Sequence, residues 1–216
     1  MPSPFPDTLA APVTRELVVK KSRFIAHIAP VGSVTAAEYV IAAVRKRHWD
    51  ARHNCTAMVT GLLGDQARSS DDGEPSGTAG IPMLEVLRRR ELTDVVAVVT
   101  RYFGGVKLGA GGLVRAYSTA VSEALDEALL LHRRELREAC VEVAHADAGR
   151  IDNVLREWAG AHGSTFEDPA YGAAVLFRLW IPPREQDPLA DHLAALSGGS
   201  LSAAFGAMRV VGVPAG

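Results

Sequence analysis

Three carboxylates, Asp71, Asp72 and Glu74, lie within the stretch DDGEPSGTAG at 71–80. Acids set this closely can hold a hard cation such as Mg²⁺. They can also serve their own loop, because Asp side chains bond amides a few residues on. Further along, RYFGGVKLGAGGLVRAY at 101–117 places Arg101, Tyr102 and Phe103 before a loop carrying Gly104, Gly105, Gly109, Gly111 and Gly112. Glycine permits positive φ and close backbone approach. A glycine loop that opens a helix leaves free amides, which suit a phosphate or another anion. Tyr102 and Phe103 can stack on unpaired bases, each worth about 1–3 kcal/mol.

These residues define an anion- or nucleic-acid-binding edge made of Lys20, Lys21, Arg23, Arg101, Tyr102, Lys107, Gly111, Gly112 and Arg115. A competing reading needs no ligand. In it Phe103 is core, the arginines pair with Asp71, Asp72 and Glu74, and the glycines only turn the chain. Surface charge is generic, and the residues alone leave both readings open. For the acidic loop a structural role is favoured over a metal site: capping of the helix that holds Pro82, or a charge lock onto Arg101. His53 and Cys55 are two apart on a strand and so share a face. A nucleophilic thiolate needs a lowered pKa and an oriented base, and a buried strand cysteine is usually inert. His27, His132, His145, His162 and His192 have no metal spacing, and no cofactor is called for.

The elements that position these groups follow from periodicity. Residues 16–19 and 22–29 read as strands joined at Lys20-Lys21, stopped by Pro30 and Gly32. Thr35 and Glu38 form a capping box for a helix with Val34, Ala37, Ile41 and Val44 inward. That helix ends in Arg45, Lys46, Arg47 and His48, with Arg52 and His53 beyond; cations there suit the helix dipole. A strand over 54–62 puts Cys55, Ala57 and Val59 on one face, and a short strand through Arg68 follows. Pro82 fits the first turn of a helix with Leu84 and Leu87 inward. Residues 95–100 form a central strand, apolar on both faces. After the glycines, Leu113, Ala116, Ala120, Ala124 and Ala128 make a small-residue stripe. The pattern restarts after Leu131 as β-α-β-β-α-β: a strand at 139–143, a helix capped by Asp147, strands at Thr165-Phe166 and 175–181, a helix with Leu189, Leu193 and Leu196, and a strand at 208–211. That order is the ferredoxin-like plan. The fold class is α+β, with domains at 1–132 and 133–216.

Composition narrows the classes. The 216 residues are 48% hydrophobic and 22% charged, ordinary for a globular protein, and the net charge of −2 gives no global pull toward nucleic acid. The first domain has 15 Lys/Arg against 14 Asp/Glu and the second 8 against 11, so a polyanion site belongs to the first. Two cysteines make no disulfide framework, and a reducing, cytoplasmic location is expected. No apolar run is long enough to cross a membrane. The N-terminus lacks signal-peptide regions and reads as a loose arm. The oligomeric state is left open.

KKSRFIA at 20–26, HNC at 53–55, DDGEPSGTAG and RYFGGVKLGAGGLVRAY closely resemble the IMPACT family in its bacterial YigZ-like branch. The resemblance covers the whole first domain. It implies a first domain like the second domain of the small-subunit ribosomal protein five. The second domain is similar to the branch's C-terminal module in element order, which resembles the last domain of elongation factor G. Both of those relatives touch the ribosome, and the family's eukaryotic members are translation regulators. The resemblance therefore implies a non-enzymatic, translation-associated protein that binds RNA or the ribosome, with a possible protein partner for the second domain. The first fold also hosts the GHMP kinases, and KLGAGGL at 107–113 is reminiscent of their phosphate loop. An enzyme acting on a phosphorylated small molecule at the same loop is thus the second expectation, although no Walker-type GK[ST] is present.

Overall fold

The computed structural model describes residues 4–214. The chain divides into two compact units, residues 1–133 with 212–216, and residues 134–211. In chain order the elements are β1 (Thr8–Leu9), β2 (Val13–Val19), β3 (Ser22–Pro30), α1 (Val34–Arg47), β4 (His53–Thr60), β5 (Gln66–Ser70), α2 (Gly80–Arg89), β6 (Val95–Tyr102) and α3 (Ala110–Asp126). Then come β7 (Leu130–Val143), α4 (Ala148–Ala161), β8 (Thr165–Phe166), β9 (Ala170–Tyr171), β10 (Val175–Ile181), α5 (Gln186–Ser197) and β11 (Ala203–Pro214). The molecule is a two-domain α+β protein. No helix among the described residues is long and apolar enough to cross a membrane.

The first unit is built on an antiparallel sheet of order β2-β3-β6-β4-β5. Strand β6 is central, and Val95 to Val99 are all 0% exposed because helices cover both sides. One face carries Phe24, Ala26, Ile28, Cys55, Ala57, Val59, Val95, Ala97 and Val99 against α2 and α3. The other carries Met58, Val96 and Val98 against Ala37 and Val44 of α1. The small residues Ala116, Ala120 and Ala124 let α3 lie close, and Tyr117 in the same stripe is fully buried. Its ring meets Phe24 edge to face at 5.2 Å, worth about 0.5–1.5 kcal/mol beyond burial.

Three local expectations are corrected. The N-cap of α1 is Ser33, whose hydroxyl accepts from the Ala36 amide at 3.1 Å, so Thr35 lies inside the helix. From Asp7 onward the N-terminal arm is tied down rather than loose. The Asp7 amide donates to the Glu91 carbonyl at 2.9 Å and its carbonyl accepts from Thr93 at 2.8 Å, while Leu9 is 2% exposed. The first three residues of that arm lie outside the described residues. Strand β7 begins at Leu130, nine residues before the alternation at Ala139 makes it legible.

In the second unit, β10 pairs antiparallel with β7, β8 and β9, and β11 pairs with β7. The order β11-β7-β10-β8 is that of a ferredoxin-like sheet. Ala139, Val141, Val143, Phe177 and Leu179 face Ile151, Leu155 and Trp158 of α4 and Leu189 and Leu193 of α5. Asp147 stands at the N-cap of α4 without a side-chain capping bond, and Gly198 ends α5 in the left-handed region.

Candidate functional site

The four sequence motifs meet at one end of the first unit's sheet. The acidic loop is spent internally. Asp71 accepts from the amides of Ala79 at 3.0 Å and Gly80 at 2.8 Å through one oxygen, and from Gly77 at 2.8 Å through the other. It caps α2 from several residues upstream, where Ala79 at the N-cap has no side-chain oxygen to offer. Desolvation alone would raise the Asp71 carboxyl, but the three amide donors together hold it below the usual carboxylate range. A depressed carboxyl stabilises the fold above its unfolded value, and that contribution is lost as pH falls through the lowered one. Acid unfolding followed by circular dichroism should therefore show a limb on the acid side of the ordinary carboxylate range that Asp71→Asn flattens.

Asp72 takes the Asn54 amide at 2.7 Å and Arg45 at 2.9 Å. Glu74 accepts from Arg101 at 2.7 Å and from the Tyr117 hydroxyl at 2.8 Å, with both charged side chains almost wholly buried. The three carboxylates have three separate sets of partners. Among the described residues no group of three His, Cys, Asp or Glu is placed to hold a metal.

Arg101 is thus removed from the anion-binding edge. It is 6% exposed, lies over the rings of Phe24 and Phe103 at 5.4 and 5.6 Å, and serves the lock with Glu74. The reason is alternation: Arg101 shares its face with Val95, Ala97 and Val99, which look into the core. Phe103 is 51% exposed and is not core. His53 and Cys55 do not pair with each other. His53 Nδ1 bonds the Asp72 carbonyl at 2.9 Å, and the Cys55 thiol donates to the Asp71 carbonyl at 3.0 Å. Burial pushes the Cys55 thiol up to about 12, with Glu74, Asp72 and Asp71 adding to the rise and the contact with the Tyr117 hydroxyl opposing it. It is a structural thiol at neutral pH.

The remaining predicted residues are on the surface. Lys20 and Lys21 form the two-residue turn between β2 and β3, with φ of 46° and 68°. Such a turn favours Asn-Gly, and each lysine there costs about 1 kcal/mol or more. The turn rests on Gly104, whose amide donates to Ser22 Oγ at 3.1 Å. Beside it a cleft of about 210 Å³ is lined by Lys20, Arg115 and Gly112 over Leu17, Val19 and Leu108. Gly112 belongs to the first turn of α3, whose N-cap Gly109 supplies no side-chain cap. Gly111 and Lys107 are exposed close by in sequence. Arg23 points to the other face of the sheet, paired with Glu16 at 2.9 Å and lying over the Tyr102 ring at 5.4 Å. The Tyr102 hydroxyl donates to Asp50 at 3.0 Å. Lys20, Gly112 and Arg115 therefore come together, whereas Arg23 and Tyr102 form a separate group.

Sequence reasoning missed Tyr117, the residue that joins Glu74 to Cys55, its hydroxyl 3.3 Å from the thiol. Its spacing from Leu113, Ala120 and Ala124 was the available signal.

Comparison with known proteins places these motifs. The Impact N-terminal domain matches residues 20–125, and a domain of unknown function, DUF1949, matches residues 141–200. The chain is 42% identical over 186 residues to IMPACT family member YvyE of Bacillus subtilis, covering 85% of this chain and 83% of that protein. It is 40% identical over 194 residues to IMPACT family member YigZ of Escherichia coli, covering 89% and 93%. A crystal structure described as that of an hypothetical protein is 37% identical, with a TM-score of 0.59 over 92% of this chain and 96% of the other.

Proposed function

The chain belongs to the IMPACT family, and from that premise we propose that it acts in translation, without catalysing a reaction, by binding RNA or the ribosome at the Lys20–Arg115 edge of its first unit. The supporting observation is the cleft that brings Lys20 of the β2–β3 turn together with Arg115 and the first-turn Gly112 of α3, with Lys21 and Lys107 exposed. Two cations and free helix amides suit a backbone phosphate. None of these four side chains has an ion-pair partner among the described residues. The strained lysine turn adds to the case, since a costly conformation persists where the side chains it presents are used. At about 210 Å³ the cleft is smaller than a small-molecule pocket of roughly 300–1,000 Å³, which favours a polymer backbone over a phosphorylated metabolite. A cytoplasmic location belongs to the same proposal.

Lys20→Asn with Lys21→Gly separates binding from folding. The double variant should gain about 1–2 kcal/mol in thermal unfolding, because Asn-Gly suits the turn. In filter binding to structured RNA and to ribosomes at two salt levels it should lose affinity. The salt slope should fall by about 1.5–2, as two phosphate contacts disappear. Unchanged affinity and slope would remove this edge from the proposal.

A further inference from the structure

We propose that Trp49 is a stacking platform for an unpaired nucleotide, so that the RNA taken by this protein is single-stranded at that point. The inference rests on the RNA-binding reading above and adds the form of the substrate. Trp49 is 83% exposed, in the turn that follows α1. Its two neighbours are both held by one hydroxyl: Tyr102 Oη lies 3.0 Å from His48 Nδ1 and donates to Asp50 at 3.0 Å. The Ala51 amide closes the turn on the His48 carbonyl at 3.0 Å. The backbone on either side of the indole is thus pinned to β6 while the ring itself stands in water. An indole held out in this way contributes nothing to the core and loses little freedom when a flat partner covers it.

The surroundings specify the partner. Lys46, Arg47 and Arg52 are exposed and make no ion pair among the described residues, whereas Arg45 is committed to Asp72. Arg23 lies over the Tyr102 ring at 5.4 Å beside the same turn. Exposed aromatic rings among unpaired cations accept bases by stacking and phosphates by charge, the combination used on single strands. A base paired inside a duplex keeps its face covered and cannot use the ring.

Trp158 and Trp180 are 6% and 8% exposed, so the water-exposed part of the tryptophan emission belongs to Trp49. Titration of the full chain with a short single-stranded oligouridylate should quench that emission. Trp49→Ala should weaken single-strand binding about tenfold or more and Trp49→Phe by less, with duplex affinity unchanged. The exposed position keeps both variants folded. RNA bound equally well by the native chain and by Trp49→Ala would overturn the stacking and leave the RNA-binding reading standing. No RNA held by the native chain at low salt would overturn both. If the oligonucleotide leaves emission unmoved but Trp49→Ala cuts co-sedimentation with ribosomes, the indole meets protein and the proposal falls.

Discussion

Glu74→Ala loses about 3–5 kcal/mol of stability, read as a large drop in the urea midpoint. Arg101 is 6% exposed and its Nε already lacks a hydrogen-bond partner among the described residues. Glu74 is its one ion-pair partner among the described residues and also the acceptor for the buried Tyr117 hydroxyl. Truncation leaves a nearly buried cation without its counter-charge and the Tyr117 hydroxyl without its acceptor. The ion pair as such is weak evidence of net stabilisation, since taking two charges out of water costs about as much as their attraction returns. Adding Arg101→Met to Glu74→Ala should therefore recover much of the loss. The double variant unfolding at higher urea than Glu74→Ala alone is the expected order, and the coupling is measured by the full cycle. A loss below about 1 kcal/mol for the single variant would mean that the lock does not hold the two motifs together.

Gly104→Ala has a comparable effect for a different reason. A Cβ at that position would stand 2.0 Å from the Lys21 carbonyl carbon and 2.3 Å from the Ser22 nitrogen. Both are backbone atoms, so no rotamer change relieves the overlap, and the β2–β3 turn has to lift. About 3 kcal/mol or more is expected in thermal unfolding, beyond ordinary overpacking. Gly105→Ala is the control. Nothing lies within 4 Å of its Cβ, but φ is 84°, so only about 1 kcal/mol of backbone strain is added. If both substitutions cost the same, conformation rather than close approach accounts for Gly104, and the lysine turn is not seated on it.

Much of the fold was legible locally. Strand β6, the α3 stripe and the second unit's element order follow from periods of 2 and 3.6. The errors share a cause. The arm reads as loose because its partners, Glu91 and Thr93, are far away in sequence. Ser33 and Thr35 both suit the cap of α1 by residue type, and only the geometry selects Ser33. The sequence points to capping of the Pro82 helix or a lock onto Arg101, and the structure gives the first role to Asp71 and the second to Glu74. Trp49 is not legible as an exposed ring, because a tryptophan in a basic segment gives no sign of which way it faces.

From the sequence alone came the motifs, the inventory of charged groups, two α+β domains and the family resemblance. Tertiary structure decided which of those groups meet water. In β6 every other residue shares a face, so Arg101 goes with Val99 and Tyr102 with Val98. Both faces of that run are apolar, and parity therefore cannot tell which one meets α2 and α3 and which meets α1. The packing of the helices settles that, turning Arg101 inward onto Glu74 and leaving Lys20, Lys21 and Arg115 facing solvent.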